Sequence, residues 1–269
     1  MRARRRFGQH FLEPAWVAKL VDAVEPRSTD TFLEIGPGRG ALTEPLARRV
    51  ARVVAIEVDR DLASDLAARH IPNLEVVTGD VLEVNFPDLL RHSLGTGVEQ
   101  RIRIIGNLPY NISSPILFRL LDASASTGAV EDATLMLQKE VADRLVAAPG
   151  TKEYGVLTVQ AALGADVTRL LNLPPGAFRP MPKVRSAVVR LTFRPPLVAV
   201  RDQTAFVELV RSIFTQRRKT LANALGPFAA SRGMDPKAAL GQAGIDSARR
   251  PETLQLIELT RLADVFSAS

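Results

Sequence analysis

Apolar positions along this chain switch between helical and alternating spacing, and the switches mark its elements. Residues 13–24 carry Trp16, Val17, Leu20, Val21 and Val24 at helical intervals, with Pro14 tolerated in the first turn. Short apolar runs then alternate with helical stretches. Residues 31–35 (TFLEI) predict a strand, 36–40 a tight glycine loop and 41–50 a helix. Residues 52–58 and 61–69 repeat the strand–helix pair, and 74–78 predict a third strand ending at Gly79-Asp80. A fourth strand over 101–105 runs into Gly106-Asn-Leu-Pro-Tyr110, followed by a helix over 115–121 and a fifth strand over 133–138. Helices are expected over 139–146 and 155–163, and 167–171 with 186–193 read as a closing hairpin around the proline-rich segment 174–182.

Strands alternating with helices at this spacing predict an α/β fold whose mostly parallel sheet is covered on both faces. Arg194-Pro-Pro196 breaks the pattern, and 204–214, 218–225, 236–243 and 251–266 are all helical. The expected domains are therefore 1–195, built on the sheet, and 196–269, small and helical.

Composition narrows the chemistry. Cysteine is absent, which excludes disulfides, thiolate metal clusters and a thiol nucleophile. With His10, His70 and His92 far apart in sequence, no metal site is expected. The basic start is followed by a stretch broken by Gln9, His10, Glu13, Lys19 and Asp22, so neither an export signal nor a membrane span is predicted. The expected location is cytoplasmic.

A net charge of +6 is mild, but it is unevenly placed. Four arginines fall within the first six residues, among them Arg4, Arg5 and Arg6. Residues 167–201 contain no acid but seven cations, including Arg179, Lys183 and Arg185, and Arg217-Arg218-Lys219 forms a third knot. Such runs are often only solvated faces. Three of them cleared of acids also suit a phosphate-binding surface, because a field of one sign draws in a polyanion.

Glu34-Ile-Gly36-Pro-Gly38-Arg-Gly40 sits where the first strand turns toward a helix, letting the backbone approach a ligand and leaving N–H groups for an anion. Glu57, at the end of the second strand, is placed to accept both ribose hydroxyls of a nucleoside cofactor, and Asp80 an adenine amino group. Gly36-x-Gly38-x-x-Ala41 also satisfies the dinucleotide fingerprint, so NAD stays open on this half alone. Acidic Glu34 beside the glycines suits a cationic sulfonium or amino group better than a pyrophosphate, which favours S-adenosylmethionine.

The second half of the site is Asn107-Leu108-Pro109-Tyr110. An adenine amino nitrogen is a poor nucleophile because its lone pair is delocalised into the ring. Methylating it calls for acceptors for its hydrogens, here the Asn107 amide oxygen and the Leu108 carbonyl, and a flat surface for an extruded base, here Tyr110. Pro109 stiffens the turn that presents them.

The chain resembles the ribosomal RNA adenine N6,N6-dimethyltransferase family, of the bacterial KsgA (RsmA) small-subunit type. The resemblance rests on seven ordered blocks: residues 6–12 (RFGQHFL), 34–42 (EIGPGRGAL), 55–59 (AIEVD), 106–112 (GNLPYNI), 137–141 (LQKEV), 178–191 (FRPMPKVRSAVVRL) and 216–223 (QRRKTLAN). It implies a Rossmann-like S-adenosylmethionine-dependent methyltransferase sheet with a C-terminal all-helical domain that binds RNA or the ribosome. It also implies dimethylation of two adjacent adenines near the 3′ end of small-subunit (16S) rRNA on an immature small ribosomal subunit, leaving S-adenosyl-L-homocysteine. Carried over, His10, Leu12, Glu34, Gly36, Gly38, Glu57, Asp80 and Asn107 line the cofactor site. Asn107 and Tyr110 face the target base, with Leu108 and Pro109 in the turn that presents them, and Phe178 stands as its second wall. Arg4, Arg5, Arg6, Arg179, Lys183, Arg185, Arg217, Arg218 and Lys219 hold RNA phosphates, and the chain is expected to be a monomer. Two other readings stand beside it: a large-subunit rRNA dimethyltransferase of the macrolide-resistance type, and a protein acting mainly as a small-subunit assembly factor.

Overall fold

The computed structural model describes residues 10–94 and 101–267, so Arg4, Arg5 and Arg6 lie outside the described residues. The first elements are β1 (Phe11–Leu12), α1 (Pro14–Val24), β2 (Thr31–Ile35), α2 (Thr43–Ala47), β3 (Arg52–Glu57), α3 (Arg60–Ala67) and β4 (Leu74–Thr78). They are followed by α4 (Phe86–Leu94), β5 (Ile102–Asn107), α5 (Ser113–Thr127), β6 (Val130–Gln138) and α6 (Lys139–Leu145). Next come α7 (Val156–Gly164), β7 (Ala165–Leu173), β8 (Phe178–Arg179) and β9 (Ser186–Phe193). The remainder is helical: α8 (Gln203–Thr215), α9 (Leu221–Ala224), α10 (Gly226–Ser231), α11 (Pro236–Gln242) and α12 (Leu256–Ser267).

Seven strands form one sheet in the order β4-β3-β2-β5-β6-β9-β7. The first five pair in parallel, and β9 lies antiparallel to β6. Every residue of β2 is buried, as expected of a central parallel strand covered on both faces. Strand order reverses at β2, which pairs with β3 on one side and β5 on the other. That switch point opens a crevice beyond the carboxyl ends of β2 and β5, where Ile35 and Gly106 stand in register. A small two-stranded pairing of β1 with β8 sets Leu12 opposite Phe178 and Phe11 opposite Arg179.

A buried ionic cluster that the apolar pattern does not announce ties α1 to the sheet. Arg103 on β5, 4% exposed, pairs with Asp30 at 2.8 Å and Asp132 at 2.8 Å. It also donates to the carbonyls of Val24 at 2.8 Å and Glu25 at 3.1 Å. Arg190 on β9 donates to Ala23 O at 2.8 Å and Val24 O at 2.9 Å. The two arginines thus satisfy carbonyls that the C-terminus of α1 leaves without helical partners.

The chain divides into two compact units, one of residues 1–142 with 166–194, the other of 143–165 with 195–269. The chain returns to the second unit at Pro195. Residues 143–165, expected in the first domain, belong to the helical unit instead. Its core explains this: Tyr154, Val159 and Leu163 pack with Phe206, Leu209 and Ile213 of α8, and the Tyr154 hydroxyl donates to Leu254 O at 2.8 Å.

Candidate active site

The crevice at the switch point is a cavity of about 480 Å³, within the range of small-molecule and cofactor sites. His10, Leu12, Glu34, Gly36, Gly38, Glu57, Asp80, Asn107, Leu108, Pro109 and Tyr110 all line it. Two motifs some seventy residues apart in sequence therefore share one pocket because β2 and β5 are neighbours. Further lining residues include Phe11 and Ile112, which sit in the matched blocks without an expected role, and Met136 outside them.

The glycine loop follows β2 with positive φ at Gly36 (68°), Gly38 (56°) and Gly40 (75°). Gly40 needs the conformation of glycine, and a Cβ there would fall 2.8 Å from Leu66 Cδ1 on α3 and make that side chain shift. Gly38 N donates to Glu57 Oε2 at 2.9 Å, and Asp59 N donates to Glu57 Oε1 at 3.0 Å. These bonds fix the Glu57 carboxylate at the pocket wall, and each oxygen keeps a second lone pair for a ribose hydroxyl. Asp80 Oδ1 is held similarly by Leu82 N at 2.8 Å.

The helix after the loop is shorter than expected. It spans only Thr43–Ala47 instead of 41–50, so it offers no extended N-terminus to hold an anion. The dominant groups under the loop are instead carboxyls. Glu34 is 2% exposed and its Oε2 has no hydrogen-bond partner; burial, opposed by the nearby Thr43 hydroxyl and reinforced by the Glu57 carboxylate, pushes its carboxyl up to about 7. A buried acceptor that lacks a partner favours a cation, not a pyrophosphate.

At the other end of the pocket, Asn107 Nδ2 donates to His10 O at 2.9 Å, which leaves Oδ1 to accept. The Tyr110 hydroxyl bonds Ser186 Oγ at 2.7 Å, and its ring lies near-parallel to His10, with centroids 5.8 Å apart. His10 Nδ1 donates in turn to Pro180 O at 2.7 Å. Segments around residues 10, 107–110 and 180–186 are thereby fastened into one wall. Ser186 has no signature of its own in the sequence, because its partner lies 76 residues away.

A family model described as "Ribosomal RNA adenine dimethylase" matches residues 1–261. The chain belongs to that family. It is 46% identical over 275 residues to "Ribosomal RNA small subunit methyltransferase A" of Geobacter metallireducens, covering 100% of this chain and 97% of the relative. The Acinetobacter baylyi protein of the same name is 44% identical, covering 98% and 92%. Among solved structures, a dimethyladenosine transferase from Plasmodium falciparum aligns with a TM-score of 0.74 at 26% identity, over 94% of this chain and 96% of that one. The 23S rRNA methyltransferase ErmE aligns with a TM-score of 0.66 at 27% identity, over 96% and 99%. The sheet is thus the Rossmann-like sheet of the adenine dimethylases.

Two expected site residues of this dimethylase sit elsewhere. Phe178 is 1% exposed and does not line the pocket: pairing with Leu12 turns it into a core with Ile105, Met136 and Val188. Arg217 is half-buried, paired with Glu252 at 2.5 Å and donating to the carbonyls of Thr151 and Lys152, so its charge is already matched inside the helical unit. Arg218 and Lys219 are exposed beside it. Lys183 and Arg185 are exposed in the sheet unit, as is Arg179, whose Nε lies 3.3 Å from Glu13.

Proposed function

We propose that the chain transfers methyl groups from S-adenosylmethionine to N6 of two adjacent adenines near the 3′ end of 16S rRNA. The products are N6,N6-dimethyladenosines, made in the cytoplasm on an immature small ribosomal subunit. The observation that carries this reading is the meeting of the glycine loop and the Asn107–Tyr110 turn in one cavity. The relatives at 44–46% identity, named for the small subunit, support that substrate over the large-subunit RNA named for ErmE.

The residues fit the cofactor. The orphaned Glu34 Oε2 suits its cationic amino or sulfonium group, the anchored Glu57 carboxylate its ribose, and Asp80 its adenine. When bound, S-adenosylmethionine supplies an electrophilic methyl group. The chain itself orients the acceptor. Tyr110 offers a face on which the extruded base stacks, steadied by Ser186. The Asn107 amide, set by its bond to His10 O, presents Oδ1 to the N6 hydrogens, and the Leu108 carbonyl takes the other. Holding those hydrogens in place directs the N6 lone pair out of the ring plane, and alignment supplies much of the barrier reduction.

The test offers methyl-labelled S-adenosylmethionine with unmodified small subunits and, separately, with large-subunit RNA, reading nucleosides by mass spectrometry. N6,N6-dimethyladenosine only in the small subunit is the expected result. Label only in large-subunit RNA moves the protein to the resistance type. No label, with subunits still bound, leaves an assembly factor.

A further inference from the structure

Residues 180–185 join β8 to β9 and are fastened to the pocket wall at both ends. Pro180 O accepts from His10 Nδ1 at 2.7 Å, while Arg185 O accepts from Lys139 N at 2.9 Å. The next residue, Ser186, holds the Tyr110 hydroxyl. Pro182, at the middle of the loop, is buried. On either side of it two apolar side chains face solvent, Met181 at 59% and Val184 at 42% exposure. Exposed Lys183 and Arg185 are interleaved with them.

Scattered exposed apolar residues need no explanation. Two on one anchored loop, alternating with cations and tied to the residues that frame a base pocket, describe something more particular. A target adenine must leave its stack to lie on Tyr110, and its neighbour would otherwise restack against it. Apolar side chains pushed beside a base step are a general means of keeping bases apart, and cations alongside hold the phosphates. Two prolines and the anchors at both ends mean that little loop entropy is lost on binding.

We propose that Met181 and Val184 form an apolar wedge that unstacks the nucleotide next to the target adenine, with Lys183 and Arg185 holding the flanking phosphates. The inference rests on the RNA substrate proposed above.

The test compares the full chain with Met181→Ser/Val184→Ser and Lys183→Ala/Arg185→Ala on unmodified small subunits, with S-adenosyl-L-homocysteine present to hold the complexes. Binding is read by co-sedimentation, and base stacking by 2′-hydroxyl acylation of the adenines and their neighbours. Turnover is measured separately with labelled S-adenosylmethionine. The serine variant is expected to bind subunits within about threefold of wild type, lose the acylation signal beside the target, and drop at least tenfold in kcat; Met181→Leu should restore both. The alanine variant should raise KM at least tenfold yet keep the acylation pattern at saturation. A serine variant with wild-type acylation and turnover overturns the wedge. So does one that loses affinity as the alanine variant does, or one that loses S-adenosyl-L-homocysteine binding. If wild type neither binds nor methylates small subunits, the substrate reading itself fails, an outcome seen before any variant is compared.

Discussion

Glu34 offers a prediction in which stability and binding move in opposite directions. Its side chain lies on β2 at 2% exposure with one oxygen unpartnered, and burial raises its carboxyl from an ordinary 4.5 to about 7. The folded pKa is raised, so the folded protein holds this proton more tightly than the unfolded chain does. Glu34's contribution to stability is therefore fully present below pH 4.5, is lost as pH rises toward 7, and levels off above it. That gap in proton affinity corresponds to about 3 kcal/mol between the two ends of the window. Glu34→Gln keeps the shape and removes the titration. In cofactor-free protein the variant should match wild type near pH 4.5 and exceed it by roughly 2–3 kcal/mol at pH 8. Urea unfolding curves at several pH values measure this directly. Binding should go the other way, because a cationic cofactor group ionises Glu34 and a neutral amide gives up a charge-assisted bond of about 1.5–3 kcal/mol. S-adenosylmethionine should bind the variant at least tenfold more weakly at pH 8. Wild type should release a proton on binding near neutral pH, measurable by calorimetry in buffers of differing ionisation enthalpy. Parallel unfolding curves for the two proteins at every pH, or tight cofactor binding by the variant without proton release, would refute the reasoning.

Three further substitutions probe the frame around the pocket. Arg103→Leu leaves buried Asp30 with Arg27 alone and removes the nearest partner of Asp132, and should cost about 3–5 kcal/mol in urea unfolding; a loss below about 1 kcal/mol would mean the cluster is dispensable. Gly106→Ala places a Cβ 2.9 Å from Ile35 O and should force β2 and β5 apart at the pocket floor, lowering Tm and abolishing cofactor binding in calorimetry. Ser186→Ala removes the hydroxyl that holds Tyr110, worth about 1 kcal/mol, and should raise KM for RNA several-fold while the cofactor Kd stays unchanged.

What the sequence made legible follows the physics of each signal. TFLEI and SAVVRLTF become strands at the expected residues because burial within a sheet leaves compact apolar runs bounded by turns, and the half-buried edge strand LEVVT keeps its β-branched pair between turns as well. The helix expected over 41–50 shrinks to Thr43–Ala47 because the turn that follows the glycines carries on to Leu42. The apolar run of α7 marks a buried helix but neither the face nor the partner that buries it, so its place in the helical unit is not legible in the sequence. The same limit applies to Phe178, since an aromatic at the head of a proline-rich block can face a pocket or a core, and its pairing with Leu12 decides for the core.

Charge obeys a similar rule, and it bears directly on how this surface should be probed. A run of basic residues shows that cations are clustered, not which of them are already neutralised. Arg103 in an apolar strand and Arg217 in a basic knot are both matched by carboxylates distant in sequence, so removing either damages the fold before it touches RNA. Lys183 and Arg185 are exposed on an anchored loop beside the base pocket, and Arg218 and Lys219 are exposed in the helical unit. An RNA-binding test that neutralises Arg217 together with its neighbours would mix a broken ion pair with weakened phosphate binding. Changing Arg218 and Lys219 alone, and separately Lys183 with Arg185, keeps the two apart. Each cation withdrawn from a phosphate should lower the slope of log affinity against log salt by about 1. Weaker subunit binding with an unchanged slope would instead point to damaged packing.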